Sequence, residues 1–255
     1  MKRIIHMVIA VVVILYIGVC AVMFAFQRSL IYLPQPRAVN APQSTMLLTV
    51  PGAELVVTVR AHVGPKALLY FGGNGEDVSL NLESFSKAFP DYALFLLHYR
   101  GYGGSTGKAS EQANTTDAAA LLRTANARHS EIAVIGRSLG SGIAVRLASE
   151  NQVSRLVLVT PYDSLEEIAA AQYPYLPVKL LLLDRYQSWK YAPAVRIPTT
   201  IIAAQDDEVI PRASTEKLFT RFPAGIASMT VIAGVGHNTI ATDGEYLKTI
   251  QAALH

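Results

Sequence analysis

Ser138 stands in Gly136-Arg137-Ser138-Leu139-Gly140, and the residues on either side give this pentapeptide its meaning. The preceding Ile132-Ala133-Val134-Ile135 is an apolar, β-branched run that predicts a buried strand. The following Ile143-Ala144-Val145-Arg146-Leu147-Ala148 predicts a helix. A G-x-S-x-G between a strand and a helix is the sequence form of a nucleophile elbow, a sharp turn that lifts the serine hydroxyl to the top of a sheet. Outside that context the same five residues are a turn that recurs by chance. A serine hydroxyl is a poor nucleophile at neutral pH, so the chemistry requires a base within hydrogen-bond reach and a third group to fix the tautomer of the base.

The base is sought among six histidines. His6 lies in an apolar N-terminal run and His255 is the last residue. His62 and His129 precede predicted strands, which places them at the wrong end of a parallel sheet. His98 ends a strand but comes before the elbow, and it reads as a core histidine. His237, in Gly234-Val235-Gly236-His237-Asn238, follows the last predicted strand in a glycine-rich loop. Between Ser138 and His237 one acidic loop opens from a predicted strand end: Gln205-Asp206-Asp207-Glu208-Val209-Ile210-Pro211. Either Asp206 or Asp207 could serve as the orienting acid. Asp163, at the previous strand end, is a third candidate whose alternative role is to cap the helix at Leu165.

Attack on a carbonyl places negative charge on oxygen, and that charge requires preorganised donors. The N–H of Leu139, at the start of the helix after the elbow, is one. The second is expected in Gly72-Gly73-Asn74-Gly75-Glu76-Asp77, a loop that follows the strand Ala67-Leu68-Leu69-Tyr70-Phe71. The N–H of Asn74 is the first choice there, with that of Gly73 beside it.

Positioning these groups takes a sheet whose strands all end on one side. Strands are expected near 47–50, 55–60, 67–71, 92–98, 132–135, 155–159, 199–204 and 228–232. Helices are expected near 80–88, 113–127, 143–148, 214–221 and 244–254. Asp117 and Arg123 fall on polar faces of the second of these helices. The alternation predicts an α/β fold with a mostly parallel sheet covered by helices on both faces. The loop 99–107 lacks the G-K-S/T ending of a phosphate cradle and reads as a shaped rim. Residues 164–193 interrupt the alternation with Tyr173-Pro174-Tyr175-Leu176-Pro177, Leu180 to Leu183 and Trp189. They predict a small cap over the strand ends, whose aromatic and leucine side chains would line an apolar substrate pocket.

The chain of 255 residues is 51% hydrophobic, and much of the excess lies in residues 4–26, where His6 is the only residue of the Asp, Glu, Lys, Arg and His types. That length spans a bilayer. A cleaved signal peptide would have a shorter core ending in a small-x-small site, so residues 1–27 are expected to be an uncleaved transmembrane signal anchor. Residues 28–45, with Pro34, Pro36 and Pro42, form a connector, and residues 46–255 the folded domain. Lys2 and Arg3 before the span, against Arg28 and Arg37 after it, lean toward a cytoplasmic N-terminus. The domain is then extracytoplasmic, in the periplasm of a Gram-negative cell. Cys20 is the single cysteine, which excludes an internal disulfide and a cysteine metal site. The net charge of +3 without a Lys/Arg cluster gives no support for nucleic-acid binding.

Five segments together carry a resemblance: F-G-G-N-G-E-D at Phe71, H-Y-R-G-Y-G-G-S-T-G at His98, G-R-S-L-G-S-G at Gly136, D-D-E-V-I-P at Asp206 and G-V-G-H-N at Gly234. With the apolar N-terminus and F-Q-R-S-L-I-Y-L-P, the chain resembles the membrane-anchored branch of the α/β-hydrolase superfamily over nearly its whole length. The resemblance implies a Ser138–His237–Asp207 triad, with Asp206 a solvated neighbour, and requires no metal or organic cofactor. It implies a small acyl ester or lipid substrate. That branch includes monoacylglycerol and lysophospholipid lipases, protein deacylases and serine-aminopeptidase-like proteins. A peptidase or thioesterase on the same triad, or a non-catalytic tethered binding protein, are the alternatives. The chain departs from the family in having Gly72-Gly73 where His-Gly is usual, which predicts a more mobile oxyanion loop.

Overall fold

The computed structural model describes residues 1–254; His255 lies outside the described residues. Eight strands form one sheet in the order β1-β2-β4-β3-β5-β6-β7-β8. They are β1 (Thr45–Val50), β2 (Ala53–Arg60), β3 (Lys66–Phe71), β4 (Ala93–Leu97), β5 (Glu131–Arg137), β6 (Arg155–Val159), β7 (Thr199–Ala204) and β8 (Ala227–Ile232). The hairpin β1–β2 is antiparallel, β2 runs antiparallel to β4, and β3 to β8 are parallel. The chain therefore has the α/β architecture its alternation predicts.

The parallel strands β3, β5 and β6 are buried along nearly their whole length and are continuous apolar runs, because helices cover both faces. On one face, α3 (Glu111–Asn126) and α4 (Leu139–Glu150) cover side chains such as Leu69, Val134 and Leu158. On the other, α2 (Leu82–Ala88) and α8 (Gly244–Leu254) cover Leu68, Ile135 and Val157. α7 (Arg212–Phe219) follows β7. Strand order reverses beside β3 and β5, and in open parallel sheets ligands bind in the crevice at such a switch point.

Ahead of the sheet stands α1 (Lys2–Ile31), an apolar helix long enough to cross a membrane. It runs past Gln27 and ends against the domain. Gln27 and Tyr32 are buried there, and Arg28 pairs with Asp184 at 2.9 Å. Residues 164–193 fold as α5 (Leu165–Gln172), α6 (Val178–Leu181) and two short 3-10 turns. Asp117 departs from its expected polar face. It is buried and accepts two hydrogen bonds of 2.8 Å from Arg100, which fixes the rim loop after β4 onto α3.

Candidate active site

The elbow follows from local sterics. Ser138 has φ 49° and ψ −117°, a strained conformation for an L-residue. A Cβ at Gly140 would overlap the carbonyl oxygen of Phe71. A Cβ at Gly136 would overlap the carbonyl oxygen of Gly140 and come within 2.6 Å of Ala144 Cβ. The two glycines thus allow α4 to pack directly on β5 and β3, and the turn between them points Ser138 away from the core. Ser138 N–H donates to Val159 O at 2.9 Å, which ties the turn to β6.

Three side chains from three strand ends meet here. His237 Nε2 lies 2.9 Å from Ser138 Oγ, and His237 Nδ1 lies 3.0 Å from both carboxylate oxygens of Asp207. Asp207 Oδ1 also accepts from the N–H groups of Val209 and Ile210 at 3.0 and 2.7 Å, so the carboxylate is fixed by its own loop before it meets the histidine. Asp206 is exposed and does not take part. Asp163 is buried elsewhere, beside Arg221 and Lys217. Ser138 and His237 are 8% and 5% exposed, and they line a cleft of about 670 Å³ with Leu33, Asn74, Leu80 and Val209.

Three of the other described histidines fall into structural roles. His98 Nε2 lies 2.9 Å from Thr58 Oγ1, and burial pushes its pKa down to about 4. His129 Nδ1 lies 2.8 Å from Gly64 O at the opposite end of the sheet. His6 Nδ1 lies 2.7 Å from Lys2 O within α1.

The loop after β3 lies against the elbow, and a Cβ on Gly73 would sit 3.7 Å from Ser138 Cβ. Its two donor candidates differ. The N–H of Gly73 is committed to Glu76 Oε2 at 2.7 Å, so it is withdrawn from the expected oxyanion role. The N–H of Asn74 has no hydrogen-bond partner among the described residues. Leu139 opens α4, and its N–H, in the first turn, has no carbonyl to bond within the helix.

The Gly72-Gly73 loop was expected to be mobile, but it is tied on several sides. Glu76 Oε1 accepts from Tyr70 Oη and Asn81 Nδ2, both at 2.7 Å, and Glu76 Oε2 faces Arg137 at 3.4 Å. Tyr99 Oη donates to Gly72 O at 2.8 Å. Gly72 also leaves no room for a side chain, since a Cβ would meet Val78 at 2.5 Å.

The sequence does not single out two further site residues. Arg137, the variable residue of G-x-S-x-G, reaches from Glu76 to the carbonyl of His237, where Nη2 donates at 3.3 Å. Glu208 Oε2 accepts the N–H of His237 at 2.9 Å. Its carboxyl is held below the usual range by backbone N–H donors, its own first and that of His237 second. The adjacency of Glu208 to Asp207 is the only hint the sequence offers.

The cap differs from expectation. Its tyrosines and leucines do not line the Ser138 cleft. Tyr173, Leu176, Val178, Leu181 and Leu182 instead form an apolar groove with Met23, Phe24, Leu30 and Ile31 of α1. The reason is the docking of α1. Gln27 bonds the backbone of Leu181 and Leu183, Arg28 pairs with Asp184, and Tyr32 Oη meets Tyr186 Oη at 2.9 Å. These bonds hold the cap against the helix rather than over Ser138.

A family profile described as "alpha/beta hydrolase fold" matches residues 66–190. Over 250 residues the chain is 34% identical to the uncharacterized protein MT2364 of Mycobacterium tuberculosis, covering 91% of this chain and 87% of that one. It is 31% identical to the alpha/beta hydrolase domain-containing protein aho-3 of Caenorhabditis elegans, over 72% of this chain and 56% of the relative. Among solved structures, the Pyrococcus furiosus esterase Pf2001 superposes with a TM-score of 0.70 at 17% identity, covering 88% of this chain and 98% of that one, a likeness of fold. The sheet order, the elbow at Ser138 and these similarities agree: the chain belongs to the α/β-hydrolase family.

Proposed function

We propose that this hydrolase is a membrane-anchored serine hydrolase that cleaves carboxylic esters, of lipids or small acyl compounds, through an acyl-enzyme intermediate. The observation that carries the reading is the position of His237, with Nε2 2.9 Å from Ser138 Oγ and Nδ1 3.0 Å from Asp207. Asp207 accepts a hydrogen bond from Nδ1–H and so leaves Nε2 as the basic nitrogen. Nε2 takes the proton of Ser138 Oγ as that oxygen attacks the carbonyl carbon. The N–H groups of Leu139 and Asn74 stabilise the oxyanion. His237 returns the proton to the leaving alkoxide, and the ester's C–O bond breaks. Water then attacks the acyl-serine, with His237 taking its proton; the acyl C–Oγ bond breaks, His237 returns the proton to Ser138 Oγ, and the acid is released. Arg137 and Glu208 hold the loop of His237 by its own backbone.

α1 anchors the domain. The N-terminus is cytoplasmic and the domain extracytoplasmic in this reading, which rests on Lys2 and Arg3 directly before the span against Arg28 and Arg37 after it. Residues 1–27 act as the anchor, 28–45 as the connector and 46–255 as the catalytic domain.

Ser138→Ala tests the reading. Labelling of the wild-type protein by a fluorophosphonate probe, and hydrolysis of p-nitrophenyl esters, are expected to vanish in the variant while its thermal unfolding is unchanged. Labelling that persisted in Ser138→Ala would overturn the assignment. Faster turnover of amino-acid anilides than of esters would move the protein to the peptidases.

A further inference from the structure

We propose that the cap segment 173–183 is seated among the acyl chains of the leaflet adjoining the domain, beside α1, as a lipid-facing surface. The proposal rests on α1 spanning a bilayer and is independent of the chemistry at Ser138.

The observation that carries it is a bond between the middle of the apolar helix and the cap. Tyr16 Oη donates to Tyr175 O at 2.9 Å. Tyr16 lies ten residues before Phe26, the end of the apolar run, which is about 15 Å of helix rise. A hydrocarbon core about 30 Å thick takes up about 20 residues of helix, so any placement of residues 4–26 across it leaves Tyr16 inside. Tyr175, bonded to it, is then at the same depth.

The composition of the segment fits that depth. Residues 173–183 read Y-P-Y-L-P-V-K-L-L-L-L, and Lys179 is the one charged residue among them. Tyr175 is 88% exposed and Leu180 82%, with Tyr173 and Leu183 also open. In water such a surface is unfavourable; in acyl chains it matches its surroundings. Lys179 has a stem long enough to carry its ammonium group toward the headgroups.

Most of the backbone fits as well; the N–H groups of Tyr175 and Lys179 have no partner among the described residues. In hydrocarbon each main-chain polar group must find a partner within the protein. Pro174 and Pro177 have no N–H to satisfy. The N–H groups of Tyr173, Leu176, Val178, Leu180, Leu181 and Leu182 bond to carbonyls within 169–178. The N–H of Leu183 reaches Gln27 Oε1 at 2.7 Å. Tyr16 supplies the donor for Tyr175 O and meets its own need in the same bond. A small groove between α1 and the cap, about 90 Å³ and lined by Gln27 and apolar side chains, opens beside this surface.

Tryptophan fluorescence in vesicles tests the placement, because Trp189 is the only tryptophan in the chain. In a full-length Trp189→Phe background, Tyr175→Trp, Leu180→Trp and Leu15→Trp are each reconstituted into phosphatidylcholine vesicles with and without acyl-brominated lipid. Blue-shifted emission is expected for all three, with quenching by the brominated chains at least twofold stronger than by aqueous iodide. Iodide quenching at both 175 and 180, with Leu15→Trp still quenched by bromolipid, would overturn the proposal and leave the anchor intact. Blue-shifted emission without bromolipid quenching would also overturn it, since a second copy would then cover the segment. Water-like emission from Leu15→Trp would remove the membrane span itself, and the proposal with it. Ester hydrolysis by the same preparations reports on Ser138 separately.

Discussion

Asn74 donates from Nδ2 to the carbonyl of Ile31 at 3.0 Å, so the last residue of the apolar helix holds the loop beside Ser138. The same loop receives Leu33 N–H and Tyr102 Oη on the carbonyl of Asn74, at 3.1 and 2.6 Å. The exit from α1 is therefore part of the wall of the cleft, and Tyr102 Oη also accepts from Leu33 N–H at 2.8 Å. Under the proposed mechanism, the N–H of Asn74 is aimed by contacts that Ile31 and Leu33 of the connector supply.

Tyr102→Phe removes the hydroxyl that bridges Leu33 and Asn74. Turnover of a short-chain p-nitrophenyl ester is expected to fall about tenfold, equivalent to about 1.4 kcal/mol of transition-state stabilisation. KM is expected to stay within twofold, because the lost donor alignment matters most when the oxyanion forms. Steady-state kinetics on the purified full-length protein measure both. An equal rise in KM with kcat unchanged would show that Tyr102 shapes substrate binding instead.

Asp207→Asn keeps the size of the side chain but replaces a carboxylate oxygen with an amide. His237 would then favour the other tautomer, and kcat is expected to drop by about 10⁴-fold. Asp206→Asn, on an exposed neighbour, is expected to leave kcat within twofold. The pair of variants, assayed side by side, separates the two carboxylates.

Glu76→Ala leaves Arg137 without its carboxylate and leaves Gly73 N–H, Tyr70 Oη and Asn81 Nδ2 without an acceptor. Removing one partner of a largely buried network costs about 2–4 kcal/mol. Urea unfolding is expected to show a loss of that size, with esterase activity reduced as the loop loosens.

Stability is expected to fall in mild acid because of His98. Its pKa is about 4 in the folded protein and 6.5 when unfolded, so the folded state binds fewer protons between those values. The contribution of the neutral ring is complete above pH 6.5 and is lost as pH falls toward 4, to a limit of about 3 kcal/mol. Unfolding free energies measured from pH 7 to 4 should decline, and His98→Gln should flatten that decline.

The sequence by itself determined the α/β fold, the strand–elbow–helix at Ser138, and the order in which Asp207 and His237 follow it. Those features are local: β-branched runs, glycines that a sharp turn demands, and loops that open at strand ends. The choice of Asp207 over Asp206 came from a resemblance, and its physical basis is visible only in the fold, where Val209 and Ile210 N–H groups turn that carboxylate inward. Tertiary structure decided which N–H beside Ser138 is free, because Glu76 claims that of Gly73. It decided that the cap packs on α1 rather than over the cleft, through bonds joining residues more than 150 apart in the chain, such as Gln27 to Leu183 and Arg28 to Asp184. It buried Asp117, expected on a polar face, beneath Arg100. Such contacts depend on which way two distant elements face one another. Hydrophobic periodicity says that a face is buried, and only packing says against what.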